Sequence, residues 1–390
     1  MKTVKINDRC KYSHFENGKG GAEFFFVFEA EESRAFSDAL SQMSEDVSNV
    51  LAQLGLGEKT TTFCRFYLSD VANQRDKLTG SELFRKTTSG AYSVIEQSPL
   101  GVGKLTLLLY HITGASFSHQ QFDKAGCGWK NDLKVTGKNY TQYWSGNYIS
   151  DEKFDSYVQT DGIFNHYVDF LDAKGMTLFD HCVRTWIYVR DIDNHYAGMV
   201  ESRKEFFDKH GLTADTHYIA STGIEARLNN VGTLVSMDAL AIDGIVPEQV
   251  TQMEALDHLN PTHEYGVTFE RGTKITYGDR EHFYISGTAS IDKCGEVVHV
   301  GDIEKQTYRT LENINALLNP HGADLSDMAY LIVYLRNITD EKKVIELLNK
   351  EVGEAIPKVI VNGAVCRPTW LIEIEGVGVK AAETDFPIFA

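Results

Sequence analysis

Near its C-terminus the chain carries two glutamates, Glu373 and Glu375, inside the otherwise apolar run WLIEIEGVGV (Trp370 to Val379). Residues two apart on a β-strand share a face, so the pair sits side by side. Loss of solvent and like-charge repulsion both raise a carboxyl's proton affinity. Such a carboxyl keeps a proton to donate near neutral pH, which is what a general acid needs. The plainer expectation is two solvated glutamates on an edge strand. An internal comparison favours chemistry. Aligned by pattern, the third closing strand sets Glu373 over Ser236 of GTLVSMDAL and Leu107 of KLTLLLY, so a single copy carries the acid.

Those copies belong to a threefold internal repeat. YLSDVAN (Tyr67 to Asn73), YVRDIDN (Tyr188 to Asn194) and YLRNITD (Tyr334 to Asp340) each end an apolar strand and open a helix. A Gly closing the preceding helical segment (Gly55, Gly175, Gly322) stands twelve, thirteen and twelve residues before the Tyr. Self-similarity on this scale predicts stacked copies of one unit. Each copy reads as strand, helix, strand, helix, strand. The division is 1–115, a degenerate first unit; 116–262, a second unit with connecting excursions; and 263–390, a third unit with the main site. The first unit's elements start near residue 20, and Ser116 to Asn139 reads as a connection.

At 390 residues and 42% hydrophobic, the chain can bury a large core. Its net charge is −17, a field that repels phosphate backbones and disfavours nucleic acid as a partner. The six scattered cysteines form no CxxC pair, as expected of reduced thiols in the cytoplasm. No apolar run is long enough for a membrane span, and no signal peptide is written at the N-terminus, so a soluble cytoplasmic protein is expected. DHLNPTH is a Pro-containing loop without a third-ligand pattern, GVGKL is no P-loop, and no GxSxG elbow is present; neither metal nor cofactor is expected.

The phrases YISGTASI (Tyr284 to Ile291), GEVVHVGDIEKQT, LENINALL, YLRNITD and WLIEIEGVGV together resemble the YjgF/RidA, or L-PSP endoribonuclease-like, superfamily. The resemblance implies an α+β fold, a mixed β-sheet with two helices on one face. Its members are trimers with ligand clefts between subunits. Three units in one chain would make an intramolecular pseudo-trimer, standing alone as a monomer or assembling into a higher homo-oligomer.

Within the superfamily, EYGVTFERG (Glu264 to Gly272), RTWIYVRDI (Arg184 to Ile192) and Cys366, seven residues before Glu373, resemble the chorismatase branch. That branch hydrolyses the enolpyruvyl ether of chorismate and releases pyruvate. The resemblance implies Glu373 as general acid and Arg271 and Arg203 as clamps on the substrate carboxylates, with Arg367 and Arg184 behind them. Tyr265 would offer a phenolic hydrogen bond, and Ser286, Gly287 and Thr288 of the SGT phrase would line the cleft. Cys366 leans towards the hydroxybenzoate-forming enzymes, against the common fate of a buried structural thiol. Arg203 has a rival role too, snorkelling from the core face of its helix beside Met199, Phe206 and Phe207.

The superfamily's imine/enamine deaminases use an Arg fifteen residues before the strand glutamate, and here that position is Lys358. A lysine lacks the planar fork that grips a carboxylate in two places, which demotes the deaminase reading. A non-catalytic small-carboxylate-binding protein is the remaining alternative.

Overall fold

In the computed structural model, which describes residues 1–120, 131–152 and 154–390, the chain forms three six-stranded sheets. The first contains β1 (Lys2–Asn7), β2 (Cys10–Phe15), β3 (Glu23–Glu29), β4 (Thr61–Leu68), β5 (Ala91–Glu96) and β6 (Leu105–Ile112). The second contains β7 (Ser116–Gln120), β8 (Asp132–Thr136), β9 (Thr141–Tyr148), β10 (Cys182–Val189), β11 (Ala220–Glu225) and β12 (Val235–Asp243). The third contains β13 (Val250–Gln252), β14 (Gly272–Thr276), β15 (Arg280–Ala289), β16 (Met328–Leu335), β17 (Lys358–Asn362) and β18 (Ile372–Ala381).

One order recurs: β1-β2-β3-β6-β4-β5, β7-β8-β9-β12-β10-β11 and β13-β14-β15-β18-β16-β17. In each sheet the last pair alone is parallel. This is the threefold α+β repeat expected from the Tyr and Gly spacing.

Helices cover one face of each sheet: α1 (Phe36–Gln53), α2 (Val71–Thr79) and α3 (Glu82–Thr87); α4 (Ser156–Asp172), α5 (Leu178–His181) and α6 (Ile192–Lys209); α7 (Ile303–Leu318) and α8 (Glu341–Glu351). The closing glycines Gly55, Gly175 and Gly322 all have positive φ, at 67°, 73° and 68°, the left-handed turn that ends a helix and that glycine adopts without strain. In the repeated phrase the Tyr is buried at its strand's end, and Asp70 and Asn337 accept a main-chain N–H that starts the next helical turn.

The opposite sheet faces meet at the centre in an aromatic core, where Phe25 packs on Tyr330 and Phe63 on Trp144. One buried arginine–carboxylate pair crosses each junction: Arg65 to Asp238 (2.8 Å), Arg184 to Glu375, and Arg280 to Glu23 (2.6 Å). Breaking such a pair on one side costs about 3–5 kcal/mol, so these residues hold the units together.

Three stretches fold differently from the sequence expectation. Lys2–Asn7 and Cys10–Phe15 are strands ahead of residue 20. Ser116–Gln120 and Asp132–Thr136, read as a connection, are strands of the second sheet. Val250–Gln252, in the tail assigned to the second unit, pairs with β14 of the third sheet. These segments are short, and β1, β7 and β13 lie at sheet edges with much of their surface open, so they carry little of the apolar signal that marks a core strand.

Candidate active site

Opposite Tyr334 in the third sheet stands Glu373, and the same register places Ser236 opposite Tyr188 and Thr106 opposite Tyr67. The first-unit counterpart is therefore Thr106, not Leu107. β6 is buried throughout its length and offers no polar alternation to fix its phase. The third unit alone still has an acid at this place.

β15 and β18 change register between Ile285 and Thr288, so Ser286 and Gly287 bulge out of the ladder beside the acid. A Cβ on Gly287 would lie 2.2 Å from Glu373 Oε1, which requires glycine here. The bulge opens onto a hollow between the second and third units. Glu373, Cys366, Arg203, Arg271, Arg367 and Gly287 all line it. Around them stand Tyr196 and Ser221 to Gly223 of the second unit, with Val267, Phe269, Ala289, Ile291 and Trp370 of the third.

Glu373 is 5% exposed. Burial, reinforced by the charge of Glu375, pushes its carboxyl from 4.5 to about 8, against the opposing pull of Arg184 and Arg271. At neutral pH it holds its proton. Arg203 is 2% exposed on α6, and its Nε donates to Thr268 Oγ1 at 3.2 Å. Arg271 donates through Nε and Nη2 to the Asn260 carbonyl at 3.2 and 2.9 Å. Arg367 stacks its guanidinium on the Trp370 ring, 4.8 Å from the centroid. Three cations thus border a protonated carboxyl in a largely apolar recess.

Burial and the proximity of Glu373 push the Cys366 thiol up to about 12, so it stands in the hollow as a neutral, weakly polar group. The segment from Gly363 to Leu371 is not strand, so alternation does not separate Cys366 from the face of Glu373.

The remaining expected site residues are placed otherwise. Arg184 is turned to Glu375 and Thr222 and does not line the hollow. Ser286 Oγ donates to the Glu270 carbonyl at 2.6 Å and accepts from the Ser221 amide at 3.0 Å. Thr288 Oγ1 donates to the Ser286 carbonyl at 2.9 Å. Both hydroxyls are committed to main chain. The side chain of Tyr265 lies outside the described residues. Sequence reasoning missed Tyr196, Thr222 and Trp370. Nothing in their local sequence separates them from core residues, although Trp370 stands directly ahead of the acid's strand.

The pseudo-threefold relation also locates Lys358. In register it corresponds to Ser221 and Tyr92. Ser221, from the second unit, is the residue that faces the Glu373 hollow. Lys358 belongs to another junction, where Nζ donates to the carbonyls of Gly353 and Ile356 at 2.5 and 3.1 Å and burial lowers its pKa to about 8. The second unit's counterpart of Gly287 is Asn147. Its side chain accepts from the Val94 amide at 2.7 Å and donates to Ser93 Oγ at 3.0 Å, where Gly287 presents no side chain.

The family model described as Endoribonuclease L-PSP matches residues 275–380. A RutC family protein of Pyrococcus abyssi is 37% identical over 99 residues, which are 25% of this chain and 77% of that protein. The chain belongs to the YjgF/RidA superfamily. Its longer sequence matches lie in the chorismatase branch. A chorismatase of Streptomyces rapamycinicus is 28% identical over 232 residues, 54% of this chain and 68% of that protein. A 3-hydroxybenzoate synthase of Streptomyces hygroscopicus is 27% identical over 234 residues, 54% and 67%. A chorismatase crystal structure superposes with a TM-score of 0.64 at 18% identity, covering 92% of this chain and 98% of that one. The three-unit superfamily fold thus spans nearly the whole chain. No helix among the described residues is long and apolar enough to cross a membrane.

Proposed function

We propose that this chain is a chorismatase-like hydrolase that cleaves the enolpyruvyl ether of chorismate, or of a closely related small dicarboxylate, and releases pyruvate. Glu373 transfers its proton to the terminal CH₂ carbon of the enol ether, leaving an oxocarbenium ion on the neighbouring carbon. Water adds there, and the hemiketal collapses to pyruvate and the ring alcohol, returning a proton to Glu373. One water is consumed and no electron is lost or gained. Arg203, Arg271 and Arg367 hold the two carboxylates, and because guanidinium–carboxylate pairs are geometrically specific they also fix which carbon faces the acid.

The observation that carries this reading is the protonated, buried Glu373 among three arginines in one inter-unit hollow. The named chorismatase and 3-hydroxybenzoate synthase relatives support it. The deaminase alternative loses its carboxylate grip, since Ser221 stands where the cation would be needed and Lys358 is spent on carbonyls.

Turnover of chorismate in D₂O tests the reading. Carbon protonation by Glu373 leaves one deuterium in the methyl group of pyruvate, visible by proton NMR when pyruvate is trapped as lactate on release. Pyruvate with an undeuterated methyl, or attack that leaves the CH₂ carbon unprotonated, would rule the step out.

A further inference from the structure

Two residues beyond the acid, Glu375 is 1% exposed and held from both sides of the unit junction. Its Oε1 accepts from the Tyr334 hydroxyl at 2.7 Å. Its Oε2 accepts from Arg184 Nη2 and the Thr222 hydroxyl, both supplied by the second unit. Thr222 Oγ1 in turn accepts from Arg184 Nη2 at 2.6 Å and from the Gly287 amide at 2.9 Å. Gly287 is the residue against which Glu373 Oε1 is packed. A continuous chain of contacts therefore runs from Glu375, through Thr222 of the second unit, to the Gly287 floor under the acid.

The second unit provides an internal control. Asp238 occupies the register position of Glu375, paired with Arg65, and its Oδ1 accepts directly from the Asn147 amide at 2.8 Å. There the buried pair joins units beside Ser236, with no acid to serve. In the third unit the Thr222 hydroxyl is inserted between carboxylate and bulge, and an acid stands about 7 Å along the strand, two residues away at about 3.3 Å each.

We propose that Glu375 is a positioning residue for the reaction, clamped with the Gly287 bulge into one body by Arg184 and Thr222, so that docking of the second unit on the third fixes the place and charge environment of Glu373. The proposal rests on the reading of Glu373 as the acid. The titratable and charged groups facing Glu373 are Glu375 on its own strand, Tyr334 on β16, Arg184 on β10, Cys366 and Arg367 on the preceding loop, Arg271 ahead of β14, and Tyr196 and Arg203 on α6. Glu375 is the one other carboxylate among them. Arg184, paired to it, contributes its cation to the clamp rather than to substrate.

Infrared titration of the protonated Glu373 carboxyl band, assigned by its loss in Glu373→Gln, tests this without depending on turnover. Glu375→Gln is expected to lower the midpoint by about one pH unit or more, since a fixed neighbouring anion is removed and Arg184 is left uncompensated. Asp238→Asn, the matching change at the other junction, leaves the midpoint in place while lowering the melting temperature. An unmoved midpoint in Glu375→Gln would show that the pair only joins the units. If that variant does not fold, Thr222→Val carries the test: the midpoint moves in Val and returns in Thr222→Ser, whereas equal midpoints in both overturn the proposal. Absence of chorismate turnover by wild type, with the midpoint shift intact, would place the failure in the proposed reaction instead.

Discussion

Replacing Glu373 by glutamine should stabilise the protein, and increasingly so as pH rises. The native carboxyl titrates at about 8 against 4.5 when unperturbed. Between those values the native state keeps the proton and the unfolded chain has released it, so stability falls as pH rises, at about 1.4 kcal/mol per pH unit. From pH 5 to pH 8 this amounts to about 4 kcal/mol, which Glu373→Gln does not lose. The aromatic core runs through all three sheets, so cooperative unfolding of the whole chain is expected. Its unfolding entropy is then about 0.8 kcal/mol per degree, and the melting-temperature gap between variant and wild type should widen by about 5 °C over that range. Differential scanning calorimetry of the two proteins across pH 5 to 8.5 measures it. Other shifted groups, such as Asp132, raised by burial to about 7, are present in both proteins and cancel in the difference. Parallel melting curves, or a gap that narrows with pH, would refute the claim that Glu373 is buried protonated.

Further outcomes follow from the same geometry. Gly287→Ala places a methyl where Glu373 Oε1 lies, so kcat should fall by about 100-fold through displacement of the acid, with circular dichroism unchanged. Arg203→Met and Arg271→Met each remove charge-assisted bonds worth about 1.5–3 kcal/mol, so KM should rise by about 10- to 150-fold in steady-state assays, more than kcat falls. Iodoacetamide at pH 7.5 should label the exposed Cys294 well before Cys366, whose thiol is pushed up to about 12; peptide mass spectrometry reads the order, and early modification of Cys366 would contradict the neutral thiol.

The repeat was legible because it is written in residues with a backbone reason to recur. A glycine must end each helix and a buried tyrosine must end each strand, whatever else diverges. The burial of Glu373 was legible from the apolar residues around it. Registers and partners were not. β6 has no polar alternation, and its alignment slipped by one residue, from Thr106 to Leu107.

Arg184 looked like a substrate clamp because its partner Glu375 lies 191 residues away and local sequence says nothing of it. Arg203 could equally have snorkelled from its helix. The side it took depends on Thr268, brought near by the junction between units. Lys358 drew attention as the residue fifteen before the acid, yet the junction geometry puts Ser221 of the preceding unit, not Lys358, at the hollow. What the sequence concealed was thus which unit faces which.

The central claim is that one inter-unit hollow holds a protonated glutamate that acts on a clamped dicarboxylate. Wild type and Glu373→Gln, each incubated with chorismate under coupled detection of pyruvate and calorimetric measurement of binding, test it most directly. The expected result is pyruvate from wild type and none from the variant, with chorismate bound by the variant about as tightly. Tight binding without pyruvate from wild type, or equal turnover by both proteins, would contradict it.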